Sequence, residues 1–246
     1  MTARKRPIAE HGLPDHATVL PPDLRHLPPW RAITLDLRCQ NYAEGAEQLF
    51  DLTIDPSCSA IASMLSVLPR KGTHAEMDQW EDLRTLQIVT HQSFTISLGA
   101  LWERTFRDHL LQSAWIIVPK TSASLSKAIT NSKWVDMCGA FERVRGFPLM
   151  ALPMYSDLRV LYLATSAIRH GNGHSVDELY ALRPDLFLND GVRSGWPAYF
   201  SEGGDREHDI KRLDIPLHQI RAFVDAVAGF WRLIDALRLY HGRRED

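Results

Sequence analysis

IRAFVDAVAGFWRLIDALRLYH, residues 220–241, has the most regular hydrophobic pattern in the chain. Its apolar residues recur at intervals of three and four, which places them on one face of an α-helix. The stretch therefore predicts a long amphipathic helix that ends before Gly242 and buries one face against other helices. That face consists of Ile220, Phe223, Val224, Val227, Trp231, Ile234 and Leu237.

Helical patterns also precede this stretch. Residues 73–113 contain no proline and only one glycine, so they predict a long helix, with a kink expected near Gly99 or around residues 90–93. Residues 122–145 predict two shorter helices that end at Gly146 and Pro148. These patterns together indicate a mainly α protein, a helical bundle.

Two further helices flank a glycine-rich turn. Apolar residues at helical spacing predict one helix over about 156–170, which Gly171 then ends. The sequence Ser175-Val176-Asp177-Glu178 has the form of a capping box and predicts that Ser175 caps the next helix. After this helix, glycines and prolines predict an irregular or β-hairpin insert, with short strands near 186–188 and 210–215.

The N-terminal part of the chain differs in composition. Residues 1–30 hold six of the fourteen prolines, so we predict an irregular arm over residues 1–40 and a helical domain over 41–246. Within that domain Pro56 is expected to divide residues 41–68, and residues 61–68 are predicted as a short helix.

Composition limits the possible locations and partners. The formal net charge of −2 provides no general attraction to nucleic acid, so RNA binding would need a local basic patch. The three cysteines show no disulfide or zinc pattern, which fits a reducing compartment. Neither a signal peptide nor a membrane-spanning run is recognisable, so a cytoplasmic protein without a membrane partner is expected.

The segment Arg169-His170-Gly171-Asn172-Gly173-His174-Ser175 carries the candidate chemistry. It joins two predicted helices through residues that tolerate left-handed backbone. A phosphate could bind between the Arg169 guanidinium and the free N–H groups of the second helix. His174 would lie beside it, and histidine is well suited to proton transfer near neutral pH.

The Arg-x4-His spacing alone is weak evidence. Random placement of 22 Arg and 11 His residues over 246 positions predicts about one such pair, and the chain has three. The pair Arg6 and His11 lies in the proline-rich arm. Arg104 and His109 lie in one helix, where a separation of five residues points the side chains apart. Only Arg169 and His174 flank a flexible turn at a helix end.

This motif and the order of helices resemble the HEPN superfamily (higher eukaryotes and prokaryotes nucleotide-binding). The resemblance covers about residues 73–241. It implies a helical bundle and an endoribonuclease of defence or toxin type that cleaves RNA without metal or cofactor, commonly as a homodimer and with a possible antitoxin or defence-system partner. Arg169 and His174 would be catalytic, with His170, Asn172 and Glu103 in supporting positions.

Other interpretations of the same residues stay open. Arg169 and the histidines could simply cap the helix and stabilise a turn, in which case the bundle is a non-catalytic module that binds a nucleotide or a protein. A metal site formed by His170, His174 and Asp177 is disfavoured, because the spacing matches no familiar site.

Polar residues on the long helix are a further set of candidates. For the cluster Glu103, Arg107, Asp108 and His109 the sequence favours a solvated face, although the resemblance allows polar residues near the motif. His91 is interpreted as a hydrogen-bonded core or surface histidine rather than a ligand.

Overall fold

The computed structural model describes residues 34–68, 72–118, 123–131, 133–188 and 209–242. This part of the chain is mainly α, as predicted. Residues 1–33 of the predicted arm and residues 189–208 of the predicted insert lie outside it. The α-helices are α1 (Cys39–Leu49), α2 (Asp55–Ser66), α3 (His74–Ile117), α4 (Ala123–Thr130), α5 (Trp134–Arg145), α6 (Tyr155–His170), α7 (His174–Leu182) and α8 (Leu217–Gly242).

Helix α3 is the long axis of the bundle. It has 44 residues, which gives a length of about 66 Å at 1.5 Å per residue. A capping box starts it: the Thr73 side chain accepts from the backbone N–H of Glu76, and the Glu76 carboxylate accepts from the N–H of Thr73 at 2.8 Å. The helix then runs without a break through Gly99 and residues 90–93.

Gly99 allows α3 and α6 to approach closely. A Cβ atom at this position would lie 2.2 Å from Oγ1 of Thr165 on α6, which is far inside contact distance. The Thr165 hydroxyl donates to the backbone carbonyl of Thr95 at 3.4 Å, so the same side chain bonds one turn earlier on α3. The glycine therefore sets the packing distance between these two helices.

The core is rich in aromatic side chains contributed by α3, α5 and α8. Trp102 stacks on Phe106 with ring centroids 5.2 Å apart, and Phe230 of α8 meets the Phe106 ring edge-on at 5.3 Å. The adjacent Trp231 contacts Tyr42 of α1 at 4.8 Å. Every residue of the predicted α8 face is buried, which confirms the amphipathic helix: Ile220, Phe223, Val224, Val227, Trp231, Ile234 and Leu237.

The division predicted at Pro56 is wrong, because the chain stays helical from Cys39 to Ser66. Residues Phe50–Ile54 form a π-helical turn, in which the N–H of Asp55 donates to the carbonyl of Phe50, five residues earlier. Pro56 follows in the first turn of α2. A π turn departs from the regular hydrogen-bond pattern and so accommodates a proline, which has no N–H to donate.

The two segments predicted as short strands meet, but they form only one antiparallel bridge, between Phe187 and Leu213. The N–H of Leu188 donates to the carbonyl of Arg212 at 2.8 Å, and the N–H of Asp214 donates to the carbonyl of Leu186 at 2.9 Å. Short 3-10 turns at Pro184–Leu186 and Ile210–Arg212 take the place of longer strands. The bridge holds the segment before α8 against the end of α7.

Among the described helices, none combines the length and the apolar character that crossing a lipid bilayer requires.

Candidate functional site

The end of α6 places Arg169 and His170 at the protein surface. The helix buries Leu158, Leu161 and Ala164 against the core, whereas its last two residues are exposed. The N–H of Gly171 donates to the carbonyl of Ala167 at 2.8 Å and closes the final turn. Gly171 has φ 73° and ψ −154°, a backbone conformation that L-residues rarely adopt, so glycine is required where the chain leaves the helix.

Asn172 connects this turn to the segment before α8. Its Oδ1 accepts from the backbone N–H of Ile210 at 2.7 Å. Ile210 begins the 3-10 turn that leads to the Phe187–Leu213 bridge. The supporting residue predicted from the sequence therefore has a structural contact, which fixes the position of the α6–α7 turn on the bundle.

His174 is the first residue of α7, and its side chain is 87% exposed. The prediction that Ser175 caps this helix is wrong, because the N-cap position is Gly173, whose carbonyl accepts from the N–H groups of Val176 and Asp177 at 2.9 and 3.1 Å. Ser175 instead shares a hydrogen bond of 2.8 Å with the hydroxyl of Ser166 on α6. Tertiary contact with α6 thus outweighs the local capping pattern.

One carboxylate, that of Glu178, lies near the His174 ring. Glu178 Oε1 is 3.8 Å from the Nε2 of His174, one helical turn away, and 3.4 Å from the guanidinium of Arg159 on α6. Glu178 was not selected from the sequence as a site residue. The i,i+4 spacing from His174 on one helix is the signal that could have identified it.

Arg169 is exposed, and within the described part of the chain its guanidinium makes no hydrogen bond or ion pair. The backbone N–H groups of His174 and Ser175 likewise have no partner among the described residues, as expected for the first turn of a helix. The turn therefore presents a cation, two imidazoles and free N–H groups on the surface.

Glu103 lies apart from this turn. Its carboxylate pairs with Arg107 at 2.8 Å, and Arg107 also donates to the carbonyls of Ile129 and Asn131 at the end of α4. The charge of Glu103 acts on Tyr162, seven residues and about 10 Å along the helix before Arg169. Arg107 therefore fastens α4 to α3 and Glu103 holds Arg107, and the described structure gives Glu103 no contact with the motif.

The side chains of the alternative pair, Arg104 and His109, point to different sides of α3, as helical geometry predicts. Arg104 is exposed and His109 is buried. The interpretation of the cluster around His109 as a solvated face is wrong for His109 itself. Its Nε2 lies 2.8 Å from Nη2 of Arg145 and 3.2 Å from Oδ1 of Asp36. Arg145 Nη2 also donates to Ser113 Oγ at 2.8 Å.

This buried cluster includes a set of groups that could bind metal. The ligand atoms of Asp36, Cys39 and His109 lie within 4.8 Å of one another. However, the guanidinium nitrogen of Arg145 contacts both Asp36 and His109 and thereby occupies the place of a cation. Burial lowers the pKa of His109 and raises that of the Cys39 thiol, which disfavours the imidazolium and thiolate forms. We assign the cluster to structure: it joins the turn at Thr34–Arg38 to α3 and α5.

A cavity of about 230 Å³ lies where α2, α3 and the segment before α8 meet. Arg84 and His91 of α3 line it together with Asp214. His91 is buried, which agrees with its interpretation as a core histidine. Neither ring nitrogen makes a hydrogen bond of good geometry among the described residues, but the backbone of Ile215 lies close enough to act on the His91 ring. The second carboxylate oxygen of Asp214, Oδ1, is also buried without a partner in that part of the chain.

The electrostatics of the cavity follow from burial. Burial lowers the pKa of His91, while the charge of Asp214 and the carbonyl of Ile215 act in the opposite direction. Burial also raises the pKa of the Cys58 thiol to about 11. Both side chains are therefore neutral near pH 7. No local sequence pattern marks this cavity, since its walls come from three separated segments.

Comparisons of the chain with protein-family models, with curated proteins and with solved structures find no match.

Proposed function

We propose that this chain is a metal-independent endoribonuclease of defence or toxin type, with Arg169 and His174 as its catalytic residues. The observation that carries the proposal is the common exposure of Arg169, His170 and His174 on one short turn. The unpartnered Arg169 guanidinium and the first N–H groups of α7, in the described part of the chain, suit a phosphate.

In the proposed reaction the RNA 2′-hydroxyl attacks its own adjacent phosphate. The 2′-oxygen–phosphorus bond forms, the bond from phosphorus to the 5′-oxygen breaks, and the products are a 2′,3′-cyclic phosphate and a 5′-hydroxyl. One proton leaves the 2′-hydroxyl and one reaches the departing 5′-oxygen, and His174 transfers a proton in one of these steps. Arg169 stabilises the charge that develops on the phosphoryl oxygens.

Neighbouring residues support these roles. Glu178 Oε1 lies 3.8 Å from Nε2 of His174, close enough to orient the ring. Asn172 fixes the turn through its bond to Ile210, and His170 is exposed beside Arg169 for contact with the substrate. A second copy of the chain would bring two such turns into one cleft, and an antitoxin or defence-system partner would cover them.

The test is RNA cleavage by the purified full chain in excess chelator, comparing wild type with Arg169→Ala and His174→Ala. We expect each substitution to reduce the cleavage rate by about 100-fold or more, in line with the usual contributions of proton transfer and charge stabilisation. Arg143→Ala and His74→Ala are matched controls. Arg143 is exposed on α5, and His74, like His174, is an exposed first residue of a helix.

Equal cleavage by all five proteins would contradict the proposal and indicate a contaminant or another site. Loss of cleavage in the two control variants would contradict the assignment of Arg169 and His174.

The second candidate function is a non-catalytic module that binds a nucleotide or a protein. The observation in its favour is that His174, with 87% of its side chain exposed, stands in solvent next to the acidic residues Asp177 and Glu178. Catalytic electrostatics are strongest where water is excluded. Absence of cleavage of varied RNAs by wild type, together with saturable binding that Arg169→Ala weakens, would favour this function.

A further inference from the structure

The outward face of α3 includes a long stretch without charge. The chain is 24% charged, yet residues 85–102 contain no Asp, Glu, Lys or Arg. Leu86 and Val89 on this stretch are 48% and 52% exposed. Helix positions that face solvent usually carry charged or polar side chains, so this face is suited to contact with another protein surface.

The outward side chains of the stretch follow one stripe along the helix. Its positions are separated alternately by three and four residues, which is the spacing of a seam between two packed helices. The residues of the stripe are apolar or small: Leu86, Val89, Ser93, Ile96 and Ala100. Ile96 and Ala100 are half-buried, and the other three are exposed. A second helix with a matching stripe can therefore pack along α3 here.

The exposed serines of this face have hydrogen-bond acceptors in their own helix. The Ser93 hydroxyl donates to the carbonyl of Val89 at 2.7 Å, and the Ser97 hydroxyl donates to the carbonyl of Ser93 at 2.9 Å. A hydroxyl that is bonded within its helix keeps its acceptor when water is removed. Covering the face therefore leaves neither hydroxyl proton unpaired, while burial of Leu86 and Val89 is favourable.

Opposite charges lie at the two ends of the stripe. Asp82 is four residues before Leu86, and Arg104 is four residues after Ala100. Both charged side chains are exposed, and neither forms an ion pair or a hydrogen bond within the described part of the chain. At about 100° per residue, both lie within about 20° of the direction of Ser93, and so on the same outward face.

The positions of these two charges fit a two-fold axis at Ser93. Asp82 and Arg104 are each eleven residues from Ser93. If a second α3 packs antiparallel with its own Ser93 at the axis, Asp82 lies beside the partner's Arg104, and the symmetry repeats this ion pair. A parallel arrangement in register would instead place like charges together. Asp78 and Asp108, the next exposed charges along α3, lie about 60° to either side of the stripe and stay in solvent.

We propose that this face of α3 binds the same face of a second copy of the chain, antiparallel and about a two-fold axis at Ser93, with two ion pairs between Asp82 and the partner's Arg104. The proposal rests on α3 and not on ribonuclease activity, so an inactive protein in the cleavage assay would leave it standing.

Sedimentation equilibrium of the full chain measures the association. The monomer has a mass of 28.0 kDa, and we expect a species of twice that mass. The Kd should be about 100 µM or tighter, since the interface is small. Val89→Glu places a charge on the stripe and should weaken the dimer at least about tenfold. Val135→Glu, at a valine of α5 that is 78% exposed, is the matched control and should dimerise as wild type does.

An exchange of charges tests the antiparallel register. Arg104→Asp brings two carboxylates together at each end of the interface and should weaken the dimer at least about tenfold. The double variant Asp82→Arg, Arg104→Asp should recover the wild-type Kd to within about threefold. The two residues are about 33 Å apart along one helix, so this recovery can arise only between two copies.

Cysteine crosslinking tests the position of the axis. Ser93→Cys brings two thiols together at the two-fold axis, so oxidation with copper phenanthroline should give a disulfide-linked dimer. Ser97→Cys is the matched control on the same face. Its two thiols would lie about 12 Å apart along the helices, which is too far for a disulfide.

Four results would overturn the proposal. They are a wild type that stays monomeric at several times the expected Kd, a dimer that Val89→Glu does not weaken, no recovery in the double variant, and equal crosslinking through positions 93 and 97. The first would mean that this face of α3 is not an interface between copies, and the second would place the interface elsewhere.

Discussion

The Nη2 atom of Arg145 donates to Oδ1 of Asp36 at 3.0 Å, across 109 residues of sequence and inside the core. Their side chains are 1% and 0% exposed. Ser113 and His109 surround the same nitrogen, so the guanidinium holds three elements together: the turn at Thr34–Arg38, α3 and α5. A buried pair of this kind makes the fold sensitive to the loss of either partner.

Asp36→Ala should lower the free energy of unfolding by about 3–5 kcal/mol, because it leaves the Arg145 charge buried without its counter-ion. Urea denaturation followed by circular dichroism measures this change. Asp51→Ala is the control, since it removes an exposed ion pair with Arg221 and should cost less than about 1 kcal/mol. A loss below about 1 kcal/mol for Asp36→Ala would contradict the structural role of the cluster.

Gly99→Ala should destabilise the protein by about 1–3 kcal/mol, because the new Cβ collides with Oγ1 of Thr165 and pushes α6 away from α3. The matched control is Gly139→Ala on α5, where nothing lies within 4 Å of a Cβ. That variant should gain about 0.5–1 kcal/mol from its higher helix propensity. Thermal unfolding compares the two, and equal effects at both positions would refute the close contact.

Stability should fall as the pH drops below about 6.5, the unperturbed pKa of histidine. Burial lowers the pKa of His91 and of His109 in the folded state, so the unfolded chain binds more protons between the folded and unfolded pKa values. The contribution of these two histidines to the free energy of unfolding is complete above the pKa they have in the unfolded chain. It is lost as the pH falls through the lower pKa they have in the folded protein. His91→Gln should reduce the slope of unfolding free energy against pH in this window, and an unchanged slope would argue against a neutral buried His91.

Asn172→Ala should expose the backbone N–H of Ile210 to exchange, because its acceptor is lost. We expect amide hydrogen exchange at Ile210 to accelerate by about tenfold, equivalent to a hydrogen bond of about 1 kcal/mol. Asn172→Asp keeps an oxygen acceptor and should retain the protection. If Asn172→Ala leaves Ile210 protected, Asn172 does not fix the turn.

Local periodicity was sufficient for much of the fold. The apolar stripes predicted α6 and α8 to within a few residues, and Gly146 and Gly171 mark helix ends as expected. These signals are local, because a helix is specified by which of its own residues are apolar and by the residues at its ends.

Contacts between distant segments could not be predicted in this way. Pro56 predicted a helix break, because residue propensities do not indicate the π turn that precedes it. Ser175 predicted a helix cap, but it forms a hydrogen bond with Ser166 instead. The burial of His91 and His109 depends on which helices pack against α3. For the candidate site, the sequence predicted Arg169 and His174 around one turn, whereas Glu103 pairs with Arg107 on its own helix and has no contact with that turn in the described structure.

The most direct test of the proposed ribonuclease is the chemistry of the cleaved ends. Wild-type protein in excess chelator should cut an RNA oligonucleotide to give 2′,3′-cyclic phosphate and 5′-hydroxyl ends, identified by mass spectrometry. A single 2′-deoxy substitution at the scissile nucleotide should abolish that cut, because the attacking hydroxyl is gone. Cleavage that persists at the deoxy position, or that requires a metal ion and leaves 5′-phosphate ends, would contradict the mechanism assigned to Arg169 and His174.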